Sequence, residues 1–380
     1  MTDSIPRSLL DPATLSAGAQ RALAAGPGRM MAARGIMPLP PADQVAVLYQ
    51  LSIDGDAGLA QAARATAAGL PDKLLAATLT NAAIDARVLD LFAELCADKP
   101  PVFDAIVLNP SVADQTIAVL AARAGSREVD LIAQNEQRVL RHPEIIAAMY
   151  LNRKARMSTI DRIVELAVRN HVRVPGLAAW DEIARALIGE EPSPATPDVE
   201  FSNAADKLVG GDDTALTTGD ADQVLPEEGG EASKAEAEVE EVKSQVQIAN
   251  MSIPAKIRLA TLGNAFARAI LIRDPIKLVA VAAIKSPGVT DIEAARYASN
   301  QSLAEDVIRY ISTRREWTKM YGIKVSLCRN PKTSIPEAAK LLPFLRDKDL
   351  VNLSKSRGVS SAIVAQARKL MMQRRGGQNK

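Results

Sequence analysis

Residues 271–287 read LIRDPIKLVAVAAIKSP, and residues 139–154 read VLRHPEIIAAMYLNRK. Both place an Arg-x-Pro step before a run of small and branched apolar residues, at Arg141 to Pro143 and at Arg273 to Pro275. Pro suits the start of a helix, where its missing N–H is not needed, and the run behind it packs closely because its side chains are short. Asp274 is expected as the cap in the later passage, with His142 in the same place in the earlier one, where it is a poorer cap. Two passages with one pattern and no chemistry are expected when a chain solves one packing problem repeatedly. A unit of two or three helices cannot bury its apolar face alone, and stacking a second unit on it completes the core.

The same punctuation recurs on both sides. Asn109-Pro110 opens SVADQTIAVLAARA, SREVDLIAQNEQRVL follows as a second helix, and a third runs from Pro143 to Asn152. Ser286-Pro287 opens GVTDIEAARYA, followed by SLAEDVIRYISTRREW and KMYGIKVSLCRN; Asn330-Pro331 then opens SIPEAAKLLPFL, DKDLVNLSKSRG and VSSAIVAQARKLMM. Earlier, helices are expected at Val45 to Leu51, Leu59 to Ala68, Lys73 to Leu79, Ala86 to Cys96 and Val102 to Leu108, each with apolar residues at three- and four-residue intervals. The interruptions DGD, GLPDK, NAAID, DKPP and NPS carry Asn, Asp and Pro as caps and starts. Asn109 to Asn152 and Ser286 to Asn330 span intervals of the size used by helical solenoids.

The Arg-x-Pro steps, the Asn-Pro openings at 109 and 330, and DLVNLSKSRGVSSAIVAQARKL together resemble the HEAT-like and leucine-rich-repeat-variant class of α-solenoids, and most of all uncharacterised bacterial proteins of that kind. The resemblance covers about residues 40–189 and 250–375. It implies a surface that binds other macromolecules and supplies no catalytic residue.

Composition agrees with an all-α chain: 47% of the residues are apolar but only 3% aromatic, which favours close helix packing over an aromatic-rich sandwich. The net charge of +1 hides a strong partition. Residues 190–243 hold 16 acidic and 3 basic residues, whereas residues 244–380 hold 24 basic and 9 acidic ones. The acidic part, with EEPSPATPDVE and GGDDTALTTGDADQ, has too little apolar surface to offset chain entropy and is expected to be disordered, apart from a solvated helix near 232–248. The expected order is therefore a mobile leader (1–39), a first helical-repeat module (40–189), a disordered acidic linker (190–245), a basic second module (246–375) and a tail (376–380).

Signatures of chemistry are sparse. The two histidines, His142 and His171, and the two cysteines, Cys96 and Cys328, match no metal or redox spacing. DGDAG at 54–58 lacks the closing Glu of a calcium loop and is read as a turn with Asp56 as cap. GPGRMMAARG has Met31 where a dinucleotide fingerprint needs glycine. Asp347/Asp349 and Glu305/Asp306 sit at helix starts, where the helix dipole favours carboxylates. The opening MTDSIPRSLLDP is not a secretory leader and no stretch is apolar enough to span a membrane, so the expectation is a cytoplasmic protein without cofactor or metal.

The feature with a functional signal is the basic module. Arg309, Arg314, Arg315, Lys319, Lys324 and Arg329 interleave with Trp317 and Tyr321. Cations can grip phosphates while aromatics stack bases; the competing reading puts Trp317 and Tyr321, four residues apart, into a groove between helices as core. The leading expectation is a non-enzymatic scaffold for a protein partner. A nucleic-acid or polyanion binder acting through 246–380, screened by the acidic linker, is the alternative, and an enzyme on a HEAT-like scaffold comes last.

Overall fold

The computed structural model describes residues 7–24, 26–188, 196–209 and 246–377. Among these the chain is all-α, with no strand, and divides into two compact units, 1–176 and 177–380. The acidic stretch expected as a linker falls outside the described residues at 189–195 and 210–245, as do 378–380 of the tail.

In the first unit, Pro41–Ser52, Ala57–Gly69, Asp72–Leu79, Ala86–Cys96 and Pro100–Leu108 form where periodicity predicts them, within a few residues at each end. Asp56 caps its helix by accepting from the N–H groups of Gly58 and Leu59, so DGDAG is a turn. Their apolar stripes bury Leu48, Leu75, Leu89, Phe92 and Phe103 completely or nearly so.

Residues 7–24 and 26–39, expected within a mobile leader, pack on the helices that follow. Helices Ala17–Leu23 and Gly28–Ala33 pack on Pro41–Ser52 and Ala57–Gly69, burying Ala19, Ala22, Ala32 and Ala33. Ahead of them, Tyr49 donates its hydroxyl to the Ser8 carbonyl, Gln50 accepts from the Leu10 N–H, and Arg87 donates to the Leu9 carbonyl. Alanines carry little hydrophobic signal in a sequence, yet they let helix backbones approach closely.

SREVDLIAQNEQRVL makes two helices rather than one, Ser126–Ala133 and Glu136–Arg141. The break lies at Asn135, whose side chain accepts from the Arg138 N–H and so restarts the chain as a cap. SLAEDVIRYISTRREW breaks likewise, into Glu305–Thr313 and Arg315–Lys319 around an extended Arg314.

The second unit starts earlier than the charge partition suggests. Trp180–Ile188 packs against Ile253–Leu262 and Lys277–Lys285, so it belongs with the basic half. Asp198–Val209, placed in the linker by its acidity, is a packed helix that buries Phe201, Ala204, Ala205 and Leu208. Those four positions form a stripe at helical spacing that the surrounding carboxylates obscure. Phe201 lies under the Arg258 guanidinium, 4.7 Å from the ring centroid, with Arg258 fully enclosed.

Contrary to the expectation from the sequence, the Asn-Pro steps close helices rather than begin them: Asn109 and Asn330 cap the ends of Pro100–Leu108 and Tyr321–Arg329, and the next helices start at Asp114 and Ile335. Asn109 donates from Nδ2 to the carbonyls of Leu79 (2.7 Å) and Asn81 (3.1 Å), while its Oδ1 accepts from the Ser111 N–H. Asn152 reaches Ala121 and Ala124, both at 2.8 Å, and Asn330 reaches Ala298 (2.9 Å) and Asn300 (3.1 Å). Ser286 repeats the arrangement with one hydroxyl, donating to the Thr261 carbonyl at 3.3 Å. Each side chain is buried and donates to carbonyls at or just past a helix end, 25 to 32 residues back along the chain. Cations add further rungs: Lys99 donates to Ala68, Arg123 to Ala93, Arg138 to Val107 and Arg374 to Leu345. This polar ladder is the physical content of the repeat.

Candidate interaction surface

The second unit carries 24 of the chain's cations after residue 244, but several are interior. Lys256 pairs with Asp274 at 3.1 Å with both side chains almost enclosed. Arg268 meets Glu293 through two bonds, at 3.0 and 3.1 Å, and also donates to the Gly263 carbonyl. Lys285 holds Glu182 at 2.9 Å, joining Lys277–Lys285 to Trp180–Ile188. Asp274 therefore serves Lys256 and the Ile276 N–H, and the helix behind it begins two residues after Pro275. Such enclosed pairs hold helices in register, because a stranded partner would be a charge without water.

The sequence-predicted residues separate into two groups. Trp317 is buried and meets Tyr310 edge-to-face, with centroids 6.0 Å apart and planes at 76°. Arg314 lies over both rings and donates to the Tyr310 hydroxyl at 2.7 and 3.0 Å. Tyr321 does not share a helix with Trp317, because an extended Met320 intervenes. Its hydroxyl donates to Asp349 and accepts from the Arg346 N–H, while the Arg346 guanidinium covers its ring at 4.6 Å. Burial and the Asp349 carboxylate raise the Tyr321 pKa. The two aromatics are thus engaged within the fold, each already covered by an arginine, and form no joint stacking platform.

The remaining members face outward. Arg315, Lys319 and Arg329 are exposed and make no ion pair among the described residues. Arg309 is exposed but bound to Glu305 (2.9 Å) and Asp306 (3.5 Å), and Lys324 rests 5.2 Å from the Phe344 ring. Phe344 itself is 64% exposed.

Arg309 of this set borders a concave feature. A groove of about 540 Å³ is lined by Trp180–Ile188, Lys277–Lys285 and Glu305–Thr313. Leu278, Val281 and the Tyr310 ring supply its apolar surface. Around them stand Arg185, Lys277, Lys285 and Arg309 against Glu182 and Asp306, an excess of two positive charges. Lys277 is exposed and has no ion pair among the described residues. Sequence reasoning missed this groove: Glu182 and Lys285 lie 103 residues apart, and the Tyr310 ring gave no sign that it would face the same space.

Among the described residues no cluster of His, Cys, Asp or Glu is arranged to hold a metal ion, and no helix is long and apolar enough to cross a membrane. Both cysteines are buried; desolvation pushes the Cys328 thiol up to about 12 and raises the Cys96 pKa. Asp347 and Asp349 are occupied by Arg374 and Tyr321. Comparison with protein-family models, with curated proteins and with solved structures gives no match.

Proposed function

We propose that the protein is a non-enzymatic scaffold of the HEAT-like kind and that the groove between Trp180–Ile188, Lys277–Lys285 and Glu305–Thr313 receives a segment of a protein partner. The observation that carries this reading is the groove's combination of an apolar floor with surplus positive charge. The partner segment that fits it is amphipathic and acidic, its apolar side chains on Leu278, Val281 and Tyr310 and its carboxylates toward Lys277 and Arg185. The Lys285–Glu182 pair beneath keeps the walls fixed, so little ordering opposes binding.

The test is fluorescence anisotropy of the full chain with labelled peptides that alternate Glu and Leu at helical spacing, beside a Lys/Leu counterpart. The acidic peptide should bind, and Val281→Asp or Lys277→Glu should weaken it about tenfold or more, as expected for losing an apolar anchor or reversing a rim charge. Equal binding of both peptides, or no effect of either substitution, removes the reading.

A second reading rests on Arg315, Lys319 and Arg329, exposed and without ion pairs among the described residues. A polyanion held there would be lost steeply as salt rises, whereas an anchored peptide would persist to physiological salt. Labelled single- and double-stranded oligonucleotides in the same assay distinguish the two, with Arg315→Glu and Lys319→Glu as the variants that must act on oligonucleotide binding.

A further inference from the structure

Between Ala265–Leu271 and Asp291–Ser299 lies a second, smaller cavity of about 140 Å³. Its lining is mainly apolar, from Ala265, Ala269, Ile292 and the Tyr297 ring. Empty apolar space of this size is a real cost to a folded protein, and a dry cavity of ~150 Å³ accommodates one benzene ring. The polar groups at its base are satisfied within the fold. Glu293 accepts from Arg268, from the Thr290 N–H at 2.8 Å and from the Tyr297 hydroxyl at 3.4 Å, and burial raises the Tyr297 pKa. A water inside would find few partners, so the cavity favours a compact apolar body.

The rim adds charge. Ile292 is 58% exposed there, and Arg273 and Arg296 also line the opening, both exposed. The repeat itself shows what is unusual. In the earlier passage the matching arginine, Arg141, is fixed to Asp114 by bonds of 2.7 and 2.6 Å. In the later passage Arg273 has no ion pair among the described residues and stands over a cavity instead. Arg268, which would add another cation, is neutralised by Glu293 and wedged beside Gly288, where a Cβ would come within 2.8 Å of its Nη1.

We propose that this cavity binds a small carboxylate whose apolar part is the size of one aromatic ring, the ring inside against Ala269 and Tyr297 and the carboxylate at Arg273. The site is independent of the groove and stands or falls separately from it. Ala269 sets the depth available to the ring, and Arg273 selects the anion.

The probe is phenylacetate, added to full-length protein carrying ¹³C-labelled isoleucine methyl groups, with Ile292 followed by NMR. Phenylacetate should shift the Ile292 methyl saturably, with a millimolar Kd appropriate to a ligand of this size, while acetate at equal ionic strength should not. Arg273→Ala should weaken phenylacetate about tenfold and leave phenylacetamide unchanged, the size expected for one charge-assisted contact. Ala269→Leu should abolish both, because its side chain occupies the ring's place. No saturable shift, an equal effect of acetate, or undiminished binding by a folded Ala269→Leu protein would overturn the assignment. So would a Phe-containing acidic peptide that moves Ile292 where phenylacetate does not, since that outcome makes the cavity part of a docking face. If Ala269→Leu does not fold, the acetate comparison and Arg273→Ala still decide the matter.

Discussion

Replacing Asn330 by alanine tests whether the polar ladder holds the repeats together. Asn330 is 3% exposed and donates to the carbonyls of Ala298 and Asn300. Its loss leaves both acceptors without that donor, and at about 1–3 kcal/mol for each stranded buried group the change should cost about 2–6 kcal/mol. Asn330→Asp should be worse at neutral pH, because it turns a carboxylate toward two carbonyl oxygens. That environment raises the folded-state pKa of the new carboxyl, so the extra penalty should be absent below the unfolded value of ~3.9 and grow as pH rises above it. The assay is urea unfolding followed by tryptophan fluorescence, since the two tryptophans, Trp180 and Trp317, both lie in the second unit. Asn352→Ala, on an exposed helix surface of the same unit, is the control and should change stability by less than about 0.5 kcal/mol. An Asn330→Ala protein no less stable than that control would refute the idea that these bonds hold the register.

Arg268→Ala should cost about 3–5 kcal/mol by stranding the enclosed Glu293, read by the same unfolding curve, and Glu293→Gln should cost less because its amide still satisfies Thr290. Gly263→Ala should be more damaging than Gly288→Ala, by about 1 kcal/mol or more: the added Cβ at 263 meets the Leu259 carbonyl oxygen at 2.6 Å, on helix backbone, whereas at 288 it meets the Arg268 Nη1 at 2.8 Å, a side-chain end that can give way by loosening its bond to Gly263. Thermal unfolding of the two variants checks the order. Both thiols should resist a thiol-specific reagent until the chain unfolds. Because the folded-state thiol pKa values are raised, the unfolded chain loses protons first, and stability should fall as pH rises above ~8.5, an effect that Cys328→Ala should reduce.

Helices with strong apolar stripes and Asn, Asp or Pro at their ends were legible from the residues alone, as Ala86–Cys96 and Pro100–Leu108 show. The Ala-rich helices before residue 40 were not, since alanine adds much less to an apolar stripe than Leu, Ile or Val does. Asp198–Val209 was masked in another way: local charge outweighed the Phe201 stripe, whose burial depends on Arg258, fifty-seven positions later. The candidate site was legible only in part. A count of cations cannot tell Arg268, enclosed by a carboxylate, from Lys319, in solvent, because the difference lies in a partner at remote sequence distance. Trp317 and Tyr321 looked like neighbours on one helix until the backbone turned extended between them, and that turn is encoded by no Gly or Pro.

The reach of the Asn rungs has a mechanical consequence. Each ties together points 28 to 32 residues apart, so the structure is a series of small closed loops. Pulled from its ends, such a chain should yield one loop at a time, each rupture releasing roughly 100 Å of extended polypeptide at about 3.4 Å per residue. Force–extension traces would then show a sawtooth of modest, evenly sized steps, the behaviour of an elastic tether.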